Sequence, residues 1–524
     1  MCLMKKYVMR VIGALSMLSV DKNTKRFINH NIKIWKDFKP NNPDSVILAE
    51  FHNITPILIA VSYFSNIISR KHNAEIKTFS PKKLYHHRAK RKIYNSFNTA
   101  GHVTTHLNKE QKVRKDDILK TILPGIKSKQ DVFDLTVMGV WIGIDIYESY
   151  LRELLEPTIR LNDKRIDDFI ERGVGLLIFW LDYFSKNNVA AIIVSHDQYL
   201  DLNVLCKVAY TNKVPVYLPN CIGATYATEP FSVHSNYSTY KNRFNSLTLD
   251  KQAKARAISK EQLDKRLNGE VGVNMAYSTE SAFLPYNSKN RVLRKSNNIK
   301  ILISSHCFYD NPHGYGGLLF LDFYDWLCFI GDISEKTNHD WYLKVHPDPL
   351  PGTLDNIQEI LQKFPKITVI PHLTSHLQLA NEGIDFVLTC FGTVGIEYPV
   401  LGKQVINAGF NPRSSFSFNW NPISIEEYEK YLLNLDTLNI DIDINEVYAG
   451  YYMQYYYEQV DDFIFTSYEN FLLDLTDDQR SKSEPFKYFI DQFDNVRHQK
   501  ITSIFQEFID SEKRHLFSRG PEDD

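Results

Sequence analysis

The sequence lacks the paired cysteines that disulfide frameworks and zinc sites require. Its six cysteines are scattered over 524 residues, and no two of them form a C-x-x-C pair. We therefore interpret them as reduced thiols in hydrophobic cores, which is typical of a cytoplasmic protein. The formal net charge is only −1, and a chain so close to neutral has no overall field that favours nucleic acid as a partner.

The sequence also lacks a long hydrophobic run. Residues 1–20 combine three basic side chains with an apolar run, Val11 to Val20, of about half the length that spans a bilayer. No A-x-A cleavage site follows this run, so we favour an N-terminal extension over a signal peptide. We predict a protein that is soluble or peripheral on the inner face of the cell membrane.

What the chain does have is enough apolar sequence for two large domains, with 43% hydrophobic and 13% aromatic residues. The strand, helix and strand predicted within residues 45–79 form a parallel βαβ unit. We predict an α/β fold with an N-terminal extension (1–40), a Rossmann-like domain (41–290), a second Rossmann-like domain (298–475) and a C-terminal helical tail (476–524).

Polar residues follow each predicted strand of the second domain, where an open parallel sheet places its functional groups. Lys344 and His346 share one face at a strand end and could both meet a phosphate. The helices that begin near residues 375 and 393 would direct their N–H groups into the same cleft. The candidate binding residues in this region are Lys344, His346, Thr374, Ser375, Gly392, Thr393 and Glu397.

A glycine-rich loop follows the first strand of this second domain. It contains Asp310, His313 and Gly314 and leads into an amphipathic helix. Such a loop can present free N–H groups to an anion, although it matches neither the dinucleotide fingerprint nor a Walker A loop. We therefore include these three residues among the candidates for nucleotide binding.

In the first domain, an apolar run from Val189 ends in Ser195, His196 and Asp197. A carboxylate or imidazole at this strand end could act as a general base, or the same residues could simply cap the next helix. Three adjacent residues cannot converge as a hydrolytic triad. Asp145, in a segment with glycines and aromatic residues, is a further candidate base.

Several of these motifs resemble the nucleotide-binding domain of GT-B glycosyltransferases, most closely the capsule and surface-polysaccharide group that includes bacterial Kdo transferases. The resemblance rests on Lys344-x-His346-Pro347, on Thr374-Ser375-His376 and on Gly392-Thr-Val-Gly-Ile-Glu397 with the strand that follows it. It covers roughly residues 40–475. The sequence departs from the family pattern at Gln404 and at Tyr398-Pro399.

The resemblance implies two Rossmann-like domains facing each other across a cleft, with the nucleotide-sugar donor held by the second and the glycan or glycolipid acceptor by the first. By that analogy His346 contacts the donor phosphate, Thr393 the phosphate or sugar, and Glu397 the ribose, while Asp145 or Asp197 is the base. The nucleotide sugar is a substrate, so the resemblance implies no cofactor.

Metal use is not expected, because the one D-x-D motif, Asp441 to Asp443, is more typical of a solvated turn than of a cation site. Residues 70–92 carry nine Lys or Arg against one acid, Glu75. This stretch could be a solvated helix face, or it could contact an anionic membrane surface or a phosphate-bearing acceptor.

Three other hypotheses remain open. A polyol-phosphate transferase of the teichoic-acid kind would use a CDP-linked donor, and a sugar-nucleotide 2-epimerase would need no acceptor. A carbohydrate-binding or assembly protein could keep the fold without turnover.

Overall fold

The structure is a computed structural model of the chain, and it describes residues 20–36, 38–41, 43–52, 54–80, 88–274, 280–283, 291–345, 349, 351–457, 462–511 and 513–516. Within these ranges the chain forms two α/β domains and a helical tail. His346 and the basic segment 81–87 lie outside the described residues.

The first domain is built on a six-stranded sheet in the order β3-β2-β1-β6-β7-β8. Every neighbouring pair is parallel except β7 and β8, which run antiparallel. A separate two-stranded hairpin is formed by β4 and β5. The strands are β1 (Ser45–Glu50), β2 (Ala74–Ser80), β3 (Thr99–Thr104), β4 (Thr136–Val137), β5 (Val140–Trp141), β6 (Val189–Ile193), β7 (Val216–Pro219) and β8 (Ala224–Ala227).

The second domain contains a five-stranded, fully parallel sheet in the order β11-β10-β9-β12-β13. Its strands are β9 (Lys300–Ser304), β10 (Asp340–Lys344), β11 (Ile367–Ile370), β12 (Phe386–Thr389) and β13 (Gln404–Asn407). The strand order changes direction between β9 and β12, because β10 and β11 lie on one side of β9 while β12 and β13 lie on the other. The same topological switch occurs between β1 and β6 in the first domain. Ligands of open parallel sheets bind beside such switch points, at the carboxyl ends of the strands.

The α-helices cover both faces of these sheets. In the first half they are Lys22–Trp35, Thr55–His72, Arg88–Asn95, Lys109–Ile122, Lys129–Phe133, Gly143–Leu154, Arg165–Lys186, Val204–Thr211, Tyr240–Ser246 and Leu249–Leu267. In the second half they are Phe323–Lys336, Thr353–Leu361, His376–Glu382, Val394–Val400, Ile425–Leu433, Ile444–Tyr455, Tyr468–Asp474, Asp477–Arg480, Glu484–Asp491 and Asn495–Ser511.

The predicted first βαβ unit is present, and its helix Thr55–His72 is buried along most of its length. Pro56 lies in the first turn, where its missing N–H costs no helical hydrogen bond. Thr55 is the first helical residue. Its hydroxyl donates to the carbonyl of Lys482 in the C-terminal tail at 2.6 Å, so it joins the tail to the first domain.

The chain crosses between the domains twice. Helices Tyr240–Ser246 and Leu249–Leu267 precede the second sheet and pack with Ile396, Phe416 and Val447 in one hydrophobic cluster. The tail returns to the first domain, as predicted, where Phe486 stacks on Phe27 with ring centres 4.3 Å apart. Both domains are therefore completed by segments distant from them in sequence.

The fold class predicted from the sequence is confirmed. Two Rossmann-like sheets with helices on their faces occupy the two halves of the chain, and the helical tail packs back. This is the GT-B architecture. In the part of the chain that the structure describes, no helix combines the length and the apolar character needed to cross a bilayer.

Candidate active site in the interdomain cleft

A buried acidic seam joins the two domains. The carboxylate of Asp322, at the start of helix Phe323–Lys336, is inaccessible to solvent. It accepts hydrogen bonds from the hydroxyls of Tyr147 at 2.5 Å and Thr158 at 2.6 Å, both from the first domain. On the surface, Arg160 bonds both carboxylate oxygens of Glu359 at 3.0 Å. These contacts hold the start of helix Phe323–Lys336 and the helix Thr353–Leu361 against the first domain.

Beside this seam lies a small cavity of about 20 Å³, which has room for about one water molecule. Residues from both domains line it: Ile144, Asp145, Glu148, Asp197, Gln198, Asn203, Pro230, Phe231, His234, Asn311, His313 and Gly314. Four of them, Asp145, Asp197, His313 and Gly314, are candidates from the sequence. The fold thus brings together candidates that lie more than 150 residues apart.

Asp145 is engaged in a buried ion pair. Its carboxylate accepts from the ammonium of Lys207 at 2.8 Å and from the amide of Asn203 at 2.7 Å. Lys207 also donates to the carbonyl of Trp141 at 2.7 Å and lies over its indole ring. Both charged side chains are almost fully buried, so this ion pair fixes the position of the Asp145 carboxylate beside the cavity. Its role as a base remains a prediction.

Glu148 and Asp197 are the carboxyl groups with perturbed acidity. Burial raises the pKa of Glu148 to about 8, against the opposing effect of a hydrogen bond from the backbone N–H of His313; that bond is 2.8 Å long. Burial also raises the pKa of Asp197 to about 6, and the nearby charge of Asp145 adds to the effect. Paired carboxyl groups with separated pKa values are typical of acid–base sites.

Glu148 is a residue that sequence reasoning missed. It lies one helical turn after Asp145 on helix Gly143–Leu154, so the two carboxyls share a face. That spacing was visible in the sequence, but the burial that perturbs Glu148 comes from the loop around His313, which packs on it from the second domain.

A second missed carboxylate, Glu50, ends β1 next to the predicted His196. It accepts from the backbone N–H of Ser195 at 2.7 Å and lies 3.8 Å from the imidazole of His52. Burial raises the pKa of Glu50 and lowers that of His196. The Nδ1 atom of His196 is buried without a hydrogen-bond partner. The signal for Glu50 was its place directly after an apolar strand.

The glycine-containing loop of the second domain reaches the cavity through His313 and Gly314, and its binding of a nucleotide remains a prediction. His313 is buried, and its Nε2 contacts the carbonyl of Leu321 at 2.9 Å. A Cβ atom at Gly314 would lie 2.5 Å from the side-chain amide nitrogen of Asn311, so a larger residue there would displace that side chain. Asp310 lies in the more exposed part of the loop and pairs with Arg152 of the first domain at 3.1 Å.

Gly392 lies in a tight loop at the second domain's switch point. Its N–H donates to the hydroxyl of Thr389 at 3.0 Å, and a Cβ atom at Gly392 would come within 2.7 Å of the same oxygen. The Nε2 atom of His306, at the end of β9, accepts from the N–H of Cys390 at 3.1 Å and contacts the Thr389 hydroxyl at 2.9 Å. These hydrogen bonds fix the conformation of the backbone that leads to Thr393.

Lys344, at the end of β10, is buried and donates to the carbonyl of His372 at 2.6 Å. Burial lowers its pKa to about 8, so it remains mostly cationic at neutral pH. Thr374 and Ser375 precede helix His376–Glu382 and are buried. The hydroxyl of Ser375 makes no capping bond and has no partner.

Glu397 is 3% exposed and forms a 2.5 Å ion pair with Arg266. Thr393 precedes helix Val394–Val400, and its carbonyl accepts from the N–H of Ile396 at 2.8 Å. Both residues lie at the predicted strand end. Contact of Glu397 with a ribose remains a prediction, as does the phosphate contact of His346.

No group of three or more His, Cys, Asp or Glu side chains in the described ranges is arranged to hold a metal ion. The second aspartate of the D-x-D motif, Asp443, caps helix Ile444–Tyr455 by accepting from the N–H of Asn445 at 2.9 Å. Its oxygen therefore already has a structural role.

No protein-family model and no curated protein sequence matches the chain. Among solved structures, it is similar to a KpsC β-Kdo 2,4-transferase from Thermosulfurimonas dismutans at 14% identity over 52% of this chain and 85% of that one, with a TM-score of 0.30. A glycosyltransferase from Rickettsia africae gives 12% identity, 86% and 100% coverage and a TM-score of 0.24.

A UDP-GlcNAc 2-epimerase from Neisseria meningitidis, solved with UDP-GlcNAc bound, gives 13% identity, 78% and 97% coverage and a TM-score of 0.22. Identities and TM-scores this low do not define an activity. The fold assignment rests on the two parallel sheets of this chain, and the functional assignment below rests on the geometry of its cleft.

Proposed function

We propose that this protein is a glycosyltransferase that moves a sugar from a nucleotide-sugar donor to a growing surface polysaccharide of the capsule or lipopolysaccharide kind. The observation that carries the proposal is that two carboxyls, the buried Glu148 and the half-buried Asp197, line one cavity at the boundary between two Rossmann-like domains. Burial separates their pKa values to about 8 and about 6. Acid–base chemistry on a hydroxyl needs groups tuned in this range.

In this proposal the acceptor hydroxyl binds on the first domain beside Asp197. Asp197 is mostly ionised at neutral pH and takes the proton as the hydroxyl oxygen attacks the anomeric carbon. Glu148 is mostly protonated under the same conditions, so it can donate a hydrogen bond to the sugar but cannot be the base. Asp145 holds Lys207 and Asn203 in place beside them.

The donor binds on the second domain, where its nucleotide leaves as the bond to the anomeric carbon breaks. Lys344 ends β10, Thr374 and Ser375 follow β11, and Gly392 and Thr393 follow β12. In this proposal their cationic and N–H groups stabilise the departing phosphate. The proposal includes no metal ion and no cofactor besides the substrates.

Location in the cytoplasm, with a peripheral contact between residues 70–92 and the inner face of the membrane, is part of the same proposal. It is supported by the excess of basic residues there. In this stretch Arg70 lies over the rings of Trp35 and Phe38, and Lys71 pairs with Asp510.

A thermal-shift titration with CMP, CDP, UDP and GDP tests the proposal, with His346→Ala beside the wild-type chain. Selective stabilisation by one nucleotide, reduced in the variant, supports a donor site on the second domain. CMP alone indicates a donor of the Kdo or sialic-acid kind, CDP a polyol-phosphate donor, and UDP or GDP a hexose donor. A chain that responds to none of them favours the alternative of a carbohydrate-binding or assembly protein.

A further inference from the structure

The loop that follows β12 is held from behind by a buried arginine. Arg413 is 1% exposed. Its Nη2 atom donates to the carbonyls of Phe391 at 2.9 Å and Gly392 at 3.0 Å, and its Nη1 atom donates to Gln454 at 3.2 Å. Its Nε–H is buried without a partner. The helix passes so close that a Cβ atom on Gly395 would lie 2.9 Å from that nitrogen.

These bonds determine where the loop's N–H groups point. In a trans peptide the C=O bond and the following N–H bond point in opposite directions. Because the carbonyls of Phe391 and Gly392 face the guanidinium, the N–H groups of Gly392 and Thr393 face away from it. The first donates to the hydroxyl of Thr389, and the second points away from the guanidinium.

The charge behind the loop is not neutralised. Burial lowers the pKa of Arg413, and nearby tyrosines and the carboxylate of Glu397 oppose this effect. Glu397, however, is already paired with Arg266. Two guanidiniums and one carboxylate leave this buried group with a net positive charge. A buried charge costs several kcal/mol unless an opposite charge compensates it, so the arrangement suits a ligand that brings negative charge to the loop.

We propose that Arg413 is a positioning residue for the phosphates of the donor, which turns the Thr393 N–H toward them and adds its buried charge from the far side of the loop. This inference rests on the proposed function, which places a nucleotide at the same strand ends. In this inference Arg413 does not touch the ligand. It strengthens binding of the charged phosphates and leaves binding of the base and ribose unchanged.

The test measures dissociation constants of uridine, UMP and UDP by calorimetry, or of the corresponding cytidine or guanosine compounds if the titration selects that base. Arg413→Met is compared with the wild-type chain. We expect UDP to bind about 10- to 100-fold more weakly, UMP to lose less, and uridine to be unchanged, because a charge acts in proportion to the ligand's charge. Arg413→Lys should recover part of the loss.

Arg291→Met is the matched control. Arg291 also donates to two backbone carbonyls, those of Leu293 at 2.8 Å and Glu382 at 2.7 Å, but it lies at the opposite edge of the sheet, where helix His376–Glu382 ends. This variant should leave the affinities of all three ligands unchanged. Equal losses for all three ligands in Arg413→Met, or no loss at all, would overturn the role of Arg413.

If Arg413→Met does not fold, Thr393→Pro and Thr393→Ala carry the test. The φ angle of Thr393 is −63°, which proline adopts without strain. The proline variant removes the N–H and the threonine side chain, whereas the alanine variant removes the hydroxyl and methyl groups but keeps the N–H. We expect UDP affinity to be at least about 10-fold lower in the proline variant than in the alanine variant. Equal affinities would refute the inference. A wild-type chain that binds no nucleotide would instead refute the proposed function.

Discussion

Replacing Glu148 by glutamine should make the stability of the protein less dependent on pH. Glu148 is 4% exposed, and burial raises its pKa from 4.5 to about 8. Between these two values the unfolded chain has lost the proton while the folded chain still holds it. The folded state therefore binds more protons, and its stability falls as the pH rises through this window.

The size of the effect follows from the width of that window. At about 1.4 kcal/mol for each pH unit, the wild-type chain loses on the order of 4 kcal/mol between pH 5 and pH 8.5. Glutamine has the shape of the protonated glutamate and still accepts from the His313 N–H, but it cannot ionise. At roughly 2 °C for each kcal/mol, the melting temperature of Glu148→Gln minus that of the wild type should rise by about 8 °C between pH 5 and pH 8.5.

The assay is a melting curve recorded by circular dichroism for both chains at half-unit steps of pH. Glu153→Gln serves as the control, because Glu153 lies on the same helix but is exposed and paired with Arg172. A difference between Glu148→Gln and the wild type that stays constant from pH 5 to pH 8.5 would refute the reasoning, since it would mean that Glu148 ionises normally in the cleft.

Three further predictions concern buried pairs and the tail. Arg266→Met leaves Glu397 buried without its partner and should cost about 3–5 kcal/mol in denaturant unfolding, most of which Arg266→Met with Glu397→Gln should recover. Lys207→Met leaves Asp145 buried without its partner and should cost a similar amount, most of which a second substitution that removes the charge of Asp145 should recover. For each pair, a double variant that is no more stable than the single variant would contradict the pairing. A chain ending at residue 511 loses the hydrogen bonds that residues 513–516 make to β8, at 2.7 and 2.8 Å, and should exchange the amide hydrogens of β8 faster than a chain ending at residue 516.

The sequence predicted the sheets well because their signals are local. The apolar runs at Ser45, Val189 and Phe386 are each a buried strand in the structure. Polar residues directly after such runs had to lie at one edge of a parallel sheet, so Asp197 and Gly392 could be placed at the cleft from their positions alone.

The partners of the candidate residues could not be predicted in this way. Asp145 and Glu397 each pair with a basic residue 62 or 131 positions away, and no local pattern encodes such a pairing. Arg413 follows Pro412 in a segment without a recognisable motif, and its importance appears only when the carbonyls it holds are known. Glu148 needed the second domain's loop for its burial.

The central claim is tested most directly by measuring release of nucleotide from nucleotide sugar in the presence and absence of a surface-polysaccharide acceptor, for the wild type and Asp197→Asn. The account predicts acceptor-dependent release by the wild type, and at least a 100-fold slower rate with unchanged nucleotide affinity in the variant. Turnover that needs no acceptor, or a variant as active as the wild type, would contradict it.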